Sequence, residues 1–281
     1  MANLKIVTDS VASLTAEEIK KYNISVVPLS INFGDENFID GVDITNQEFI
    51  DKVSAASGDQ MPKSAQPPVG RFDEVYSQTD QPILSIHVGS SFSGTVNAAR
   101  QAGELQDKQV DVFDTQTVDR AQALMVIAAA VAAEEGQSAD EIISMLTKMR
   151  DEVKFYVGID SLKFLIAGGR VSRMTGALGM ALNFKVGVSI HDGEIEQIVK
   201  GRGQKTIDSF YDDVIEQMQQ YKKIDAINLP HSGNPELATS LKEKLSKIYP
   251  DVDIKITIAS STITTHGGLR ATAIIYHATN D

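Results

Sequence analysis

His87-Val-Gly-Ser-Ser-Phe-Ser-Gly-Thr-Val-Asn97 is the stretch that decides how this chain is read. An apolar run, Pro82-Ile-Leu-Ser-Ile86, leads into it and reads as a buried strand. A helix-forming run, Val96 to Ala102, leads out of it. Between them lie the hydroxyls of Ser90, Ser91, Ser93 and Thr95 and two glycines. A strand, a polar turn and a helix start gather free backbone N–H groups at the positive end of a helix dipole, where an anionic group is a natural guest. Plain N-capping by Ser93 accounts for the same residues. Both readings stay open on this stretch alone.

Working outward, strands alternate with helices. Leu4 to Thr8 reads as a strand ending in Thr8-Asp9-Ser10. Thr15-Ala-Glu-Glu18, Thr45-Asn-Gln-Glu48 and Ser138-Ala-Asp-Glu141 are capping boxes, each opening a helix. Ser25 to Ile31 reads as a strand with a break at Pro28. Asn32 to Gly41 holds two turn signals and suits a small hairpin. Ser57 to Pro68 reads as a long polar loop, and Val69 to Ser77 as a helix. Val110 to Phe113 is a strand, and the apolar run Ala121 to Ala133 a buried helix. This alternation predicts a mostly parallel sheet flanked by helices, with Thr8-Asp9-Ser10 and Gly89 to Thr95 at its carboxyl edge, where ligands sit.

Beyond Phe155 the pattern changes. Lys185 to Ile190 and Glu194 to Val199 flank His191-Asp192-Gly193 and read as a hairpin. Gly176 to Leu182 reads as a helix, Asn234-Pro235 as a capped helix start, and Ser260 to Gly268 as a polar loop. The expected architecture is therefore two α/β domains, residues 1–153 and residues 154–281, the second carrying the added hairpin.

The chain has 281 residues, 42 % of them hydrophobic, and a net charge of −12. That charge repels a phosphate backbone and argues against nucleic-acid binding. Cysteine is absent, which removes disulfide and thiolate chemistry and suits a reducing cytoplasm. No secretory leader and no run long enough to cross a membrane is evident. No phosphate-binding glycine loop is present, and none of the five histidines pair at metal-ligand spacing, so no cofactor and no metal are expected. Two chemistries remain. Gly89-Ser-Ser-Phe-Ser93 falls one residue short of a nucleophile elbow, with His266 as a base and Asp9 to orient it, which would make a serine hydrolase acting on acyl esters. Alternatively Ser64, Ser93 and His266 converge on one carboxylate whose apolar remainder lies between the domains. Arg170 and Arg202, each beside glycines, suit a negatively charged partner or a phosphate.

Taken together these residues resemble the DegV family of bacterial fatty-acid-binding proteins. Thr8-Asp9-Ser10, Ser64-Ala-Gln-Pro67, Ser90-Ser-Phe-Ser-Gly-Thr95 and Asp160 to Ser172 with its Gly168-Gly-Arg170 carry the likeness, and Leu182 to Lys185, Lys200-Gly-Arg202 and Thr265-His266 extend it. The resemblance implies a lipid site between two α/β domains. The carboxylate contacts would fall on Ser64, Ser93 with the adjoining Gly94, and His266. It implies no catalysis by this chain. The chain would be the carrier subunit of a fatty acid kinase, presenting a long-chain fatty acid to a separate ATP-dependent kinase subunit for acyl phosphate formation. Arg170 and Arg202 would then contact that partner or the phosphate, and transient membrane contact stays open. A carrier or sensor uncoupled from any kinase is the other lipid-binding reading. The sequence departs from the family pattern at Ser64 and Ala65, at Gly89, at Asp119, Ala121 and Ala123 (a Ser-x-Gly-x-Gly stretch), and at Leu269-Arg270, where a Pro-Gly is usual.

Overall fold

A computed structural model describes residues 4–56, 60–175 and 184–280. The apolar run before the polar turn lies inside a parallel sheet. In chain order, β1 (Lys5–Asp9) leads through helix α1 (Ala16–Lys21) to β2 (Ser25–Val27). Next come β3 (Ser30–Phe33), β4 (Glu36–Ile39), helix α2 (Asn46–Ala55) and β5 (Lys63–Ala65). Helix α3 (Val69–Tyr76) leads to β6 (Ile83–His87), α4 (Thr95–Gly103) to β7 (Val110–Asp114), and then α5 (Asp119–Glu134) and α6 (Ala139–Glu152) follow. The sheet order is β2-β1-β6-β7, parallel throughout. All five residues of β6 are buried, as a strand covered on both faces requires. All three capping boxes form, each with both reciprocal hydrogen bonds.

The second half builds a seven-stranded mixed sheet. Its elements are β8 (Val153–Ile159), α7 (Lys163–Ala167), β9 (Met174–Thr175), β10 (Lys185–His191), β11 (Glu194–Gly201), α8 (Gln204–Met218), β12 (Lys223–His231), α9 (Pro235–Ile248), β13 (Ile254–Ile258), α10 (Ser261–Gly267) and β14 (Thr272–Thr279). The order is β13-β12-β14-β8-β10-β11-β9. The expected hairpin is β10–β11, antiparallel, turning at Asp192-Gly193.

Helix α5 joins the two sheets. It is apolar nearly all round, so it must be covered on every side. Met125 and Ala129 pack in one core cluster with Leu84 and Ile86 of β6, Phe155 of β8 and Ile275 of β14. The polar end of the cluster is closed by Arg120, itself 1 % exposed.

Four expectations change. The strand over Ser25 to Ile31 is two strands, because Pro28 cannot donate to a ladder. Within the long loop, Lys63–Ala65 is strand β5, paired antiparallel to β3 with Ser64 opposite Ile31. The polar loop Ser260 to Gly268 contains helix α10. Its serines and threonines are poor helix formers, and tertiary bonds make up the difference. Ser260 caps Ile263 N–H, Asp40 holds the Thr262 hydroxyl at 2.6 Å, and Asn46 accepts from Ser261. Asn234 does not cap α9 with its side chain, which instead donates to the Arg270 carbonyl. The helix expected over Gly176 to Leu182 lies outside the described residues.

Candidate functional site

The polar turn is anchored from below by a buried chain of hydrogen bonds. Tyr76 Oη donates to Ser85 Oγ at 2.8 Å, Ser85 Oγ meets His87 Nε2 at 2.6 Å, and His87 Nδ1 meets Asp9 Oδ2 at 2.9 Å. The two Asp9 oxygens also accept from Val11 N–H and Val88 N–H, both at 3.0 Å. The chain of donors runs one way, from tyrosine to carboxylate. It fixes where the chain leaves β1 and β6, and so positions Val11 and Val88.

Both valines wall an apolar cavity between the parallel sheet and the seven-stranded sheet. Val11, Leu29 and Val88 line it from the first half of the chain, and Phe155, Val157 and Val188 from the second. Ser64, Ser93, Arg170 and His266 contribute its polar groups, together with Asp119 and a few hydroxyls.

Ser64 on β5 and His266 on α10 meet across the cavity wall, with Oγ 2.7 Å from Nε2. Burial first, and the Arg170 charge second, hold the His266 pKa down at about 4. The imidazole is therefore neutral at pH 7 and carries one ring proton. Its Nδ1 is buried without a hydrogen-bond partner among the described residues. A buried N–H left unpaired costs more than a buried lone pair, so we assign the proton to Nε2. Nε2–H then donates to Ser64 Oγ, which leaves the Ser64 hydroxyl hydrogen to donate into the cavity.

Ser93 does not cap α4. The N-cap is Gly94, and no side chain caps this helix. Ser93 Oγ instead lies 2.8 Å from Thr95 Oγ1 and accepts weakly from Thr95 N–H at 3.4 Å. This frees the turn from plain capping and leaves Ser93 in the cavity wall. Gly94 stands just behind it, covered by the Gln66 side chain rather than lining the cavity.

Arg170 binds both halves of the chain. Nε donates to the Phe92 carbonyl at 3.1 Å and Nη1 to the Gly168 carbonyl at 2.7 Å. Its charge therefore stands beside His266, in a site read from sequence as hydroxyls and imidazole alone. Arg202 lies elsewhere. It is exposed and stacks on Phe184, 5.0 Å from the ring centroid, next to Lys200 on the same ring. At the two positions where the resemblance leads to Pro-Gly, Leu269 packs against the Ile31 and Phe49 cluster, while Arg270 adopts φ 65°, stays exposed and pairs with Asp160 and Asn234.

The serine-hydrolase trio is not assembled. Asp9 is engaged by His87, and Ser93 Oγ by Thr95, while His266 Nε2 faces Ser64. The Ser85–His87–Asp9 chain has the order of a catalytic triad, but all three side chains are sealed in the core at 0 % exposure. Among the described residues no group of three or more His, Asp or Glu gathers to hold a metal. No helix among them is long and apolar enough to cross a membrane.

Sequence reasoning missed Asp119 as a wall residue. It begins α5 at φ 55° and is 2 % exposed. Burial pushes its carboxyl up to about 6, against the pull of the Ser13 hydroxyl and of Arg120. The resemblance, which leads to a serine at that place, was the available signal.

Fold and cavity together define an α/β protein of three sheets, parallel, mixed and a small antiparallel one, with an apolar chamber and a hydroxyl–imidazole pair in its wall. The chain belongs to the DegV family: the family model, described as an uncharacterised protein of the DegV family, matches residues 3–279. A DegV domain-containing protein of Streptococcus pneumoniae is 34 % identical over 283 residues, covering 99 % of this chain and all of the relative. One from Listeria monocytogenes is 36 % identical over 281 residues, covering 99 % of each. Among solved structures, a fatty acid binding DegV protein from Bacillus subtilis superposes with a TM-score of 0.88 at 27 % identity, over 99 % of this chain and 100 % of that one. A DegV family protein from Thermus thermophilus, described by its fatty acid binding, gives 0.87 at 26 %, over 98 % and 99 %.

Proposed function

We propose that this chain binds one long-chain fatty acid, with its tail in the apolar cavity and its carboxylate at Ser64, Ser93 and His266. The observation that carries the reading is the Ser64–His266 pair opening on that cavity. A donated Ser64 hydroxyl suits a carboxylate oxygen, and the nearby Arg170 charge favours the ionised head. The tail supplies most of the affinity, at about 0.8 kcal/mol per buried CH₂. The solved relatives described as fatty acid binding support the same ligand class.

In this reading residues 1–153 and 154–281 are the two halves that close on the lipid. The chain itself is not the catalyst. It hands the carboxylate to an ATP-dependent kinase subunit in the cytoplasm, where a carboxylate oxygen takes the γ-phosphoryl group and releases ADP. Arg170 at the head, and Arg202 with Lys200 on the outer face, are the cations offered to phosphate or partner. Three measurements test this reading. Solvent extraction of the purified protein followed by mass spectrometry should release a long-chain acid. Added octadecanoic acid should bind the wild type and lose at least tenfold in affinity with Ser64→Ala and His266→Ala combined. Undiminished affinity in that double variant refutes the head-group assignment. Addition of the kinase subunit and ATP separates the coupled carrier from an uncoupled one, which would give no acyl phosphate.

A further inference from the structure

Two side chains in the cavity wall, Asp119 and Thr272, carry a buried oxygen with no hydrogen-bond partner among the described residues, and of the two only Asp119 has a carboxylate, the stronger acceptor. Asp119 shares that wall with Val118, Phe155, Val157 and Ala273. Its Oδ1 is buried and has no hydrogen-bond partner among the described residues. Its left-handed backbone, φ 55°, is one that Asp tolerates better than most residues. No side chain caps α5, so Asp119 is not accounted for as a cap. The helix dipole favours its negative charge, while burial opposes it. In either protonation state Oδ1 can accept a hydrogen bond. A buried acceptor left unpaired weakens any complex that seals it against hydrocarbon. A hydroxyl on the ligand removes that penalty without bringing a second charge into the cavity. Resting on the fatty-acid reading above, we propose that Asp119 makes the cavity selective for a long-chain acid bearing a hydroxyl on its tail, which donates to Asp119 Oδ1.

The test is direct binding to the full chain. Octadecanoic acid is compared with a set of hydroxyoctadecanoic acids whose hydroxyl is stepped along the tail. At least one isomer should bind the wild type about tenfold more tightly than the unsubstituted acid. Asp119→Gly, which accepts the left-handed backbone, should abolish that preference. Asp119→Asn, which keeps an acceptor and also tolerates the backbone, should retain it. Equal affinity for all the acids in the wild type, as a water held at Asp119 would give, overturns the proposal. So does the same preference persisting in Asp119→Gly. If no acid binds at all, the fatty-acid reading fails and this inference falls with it; if the unsubstituted acid binds without any preference, only the hydroxyl is refuted.

Discussion

A Cβ on Gly168 would stand 2.3 Å from Nδ1 of His266. The Gly168 backbone is right-handed, with φ −77°, and would suit alanine. The obstacle is the ring, which Ser64 holds from its other side. Gly168→Ala must therefore push His266 off Ser64. Affinity for a long-chain fatty acid should fall about tenfold, the worth of roughly one hydrogen bond. Gly94→Ala is the contrasting case. Its Cβ would meet the end of the Gln66 side chain, which is exposed and can swing away. Stability there should change by no more than about 0.5 kcal/mol. Ligand titration and thermal unfolding of both variants check the pair, and equal behaviour would contradict the geometry.

Asp9→Ala should be far more damaging than any change in the cavity wall. It removes the acceptor of His87 Nδ1, Val11 N–H and Val88 N–H at one stroke, all in the sealed core. The expected loss is about 3–5 kcal/mol in urea unfolding. Asp9→Asn keeps one acceptor oxygen and should lose less. Because Val11 and Val88 line the cavity, lipid affinity should fall alongside stability.

Two buried groups set opposing pH dependences. His266 is held at about 4, below its ordinary 6.5. The unfolded chain takes up its proton first, so this contribution is absent above pH 6.5 and destabilises progressively as pH falls toward 4. Asp119 is raised from 3.8 to about 6. Its contribution is fully present below pH 3.8 and is lost as pH rises through 6. Each is worth up to about 3 kcal/mol, with opposite slopes over nearly the same range. They largely cancel in the wild type. Asp119→Asn should unmask the His266 slope, so that stability rises from pH 4 to 6.5 more steeply than in the wild type. Urea titrations at four pH values would show this; parallel curves would refute it.

The parts legible in the sequence were those governed by neighbours in the chain. Capping boxes need four residues, and the turn at Asp192-Gly193 needs two. The strand before His87 announced itself by its apolar run. The unread parts depend on contacts across the chain. Ser64 lies on a strand only because Lys63–Ala65 pairs with Ser30–Asn32. His266 lies on a helix because Asp40 and Asn46, more than 200 residues away, hold its first turn. Ser64, Ser93 and His266 could be named from residue type and resemblance, but which of them touch could not. Arg170 illustrates the limit. Its charge was visible, yet its reach to the Phe92 carbonyl follows from packing one half of the chain on the other.

Arg120 is the strongest case of that packing. Nη1 and Nη2 both lie 2.7 Å from the Glu18 carboxylate, Nη1 also reaches the Ser13 carbonyl, and Nε donates to Asn228 of β12. One side chain thus ties α5 to α1 and to the second sheet. Burial works to raise the Glu18 pKa, but the bidentate Arg120, helped by Thr15 N–H and Lys255, brings it down to about 2. Arg120→Met should cost about 3–5 kcal/mol, because Glu18 is left in the interior with only Lys255 at its side. The stabilisation that Arg120 gives is present above pH 4.5 and lost as pH falls through 2, so the gap between wild type and variant should narrow over that range. Adding Glu18→Gln to Arg120→Met removes the stranded charge while keeping an acceptor for Thr15 N–H. At least half of the lost stability should return. A double variant no more stable than the single one would mean that Asn228 and the Ser13 carbonyl, rather than the ion pair, are what Arg120 holds in place.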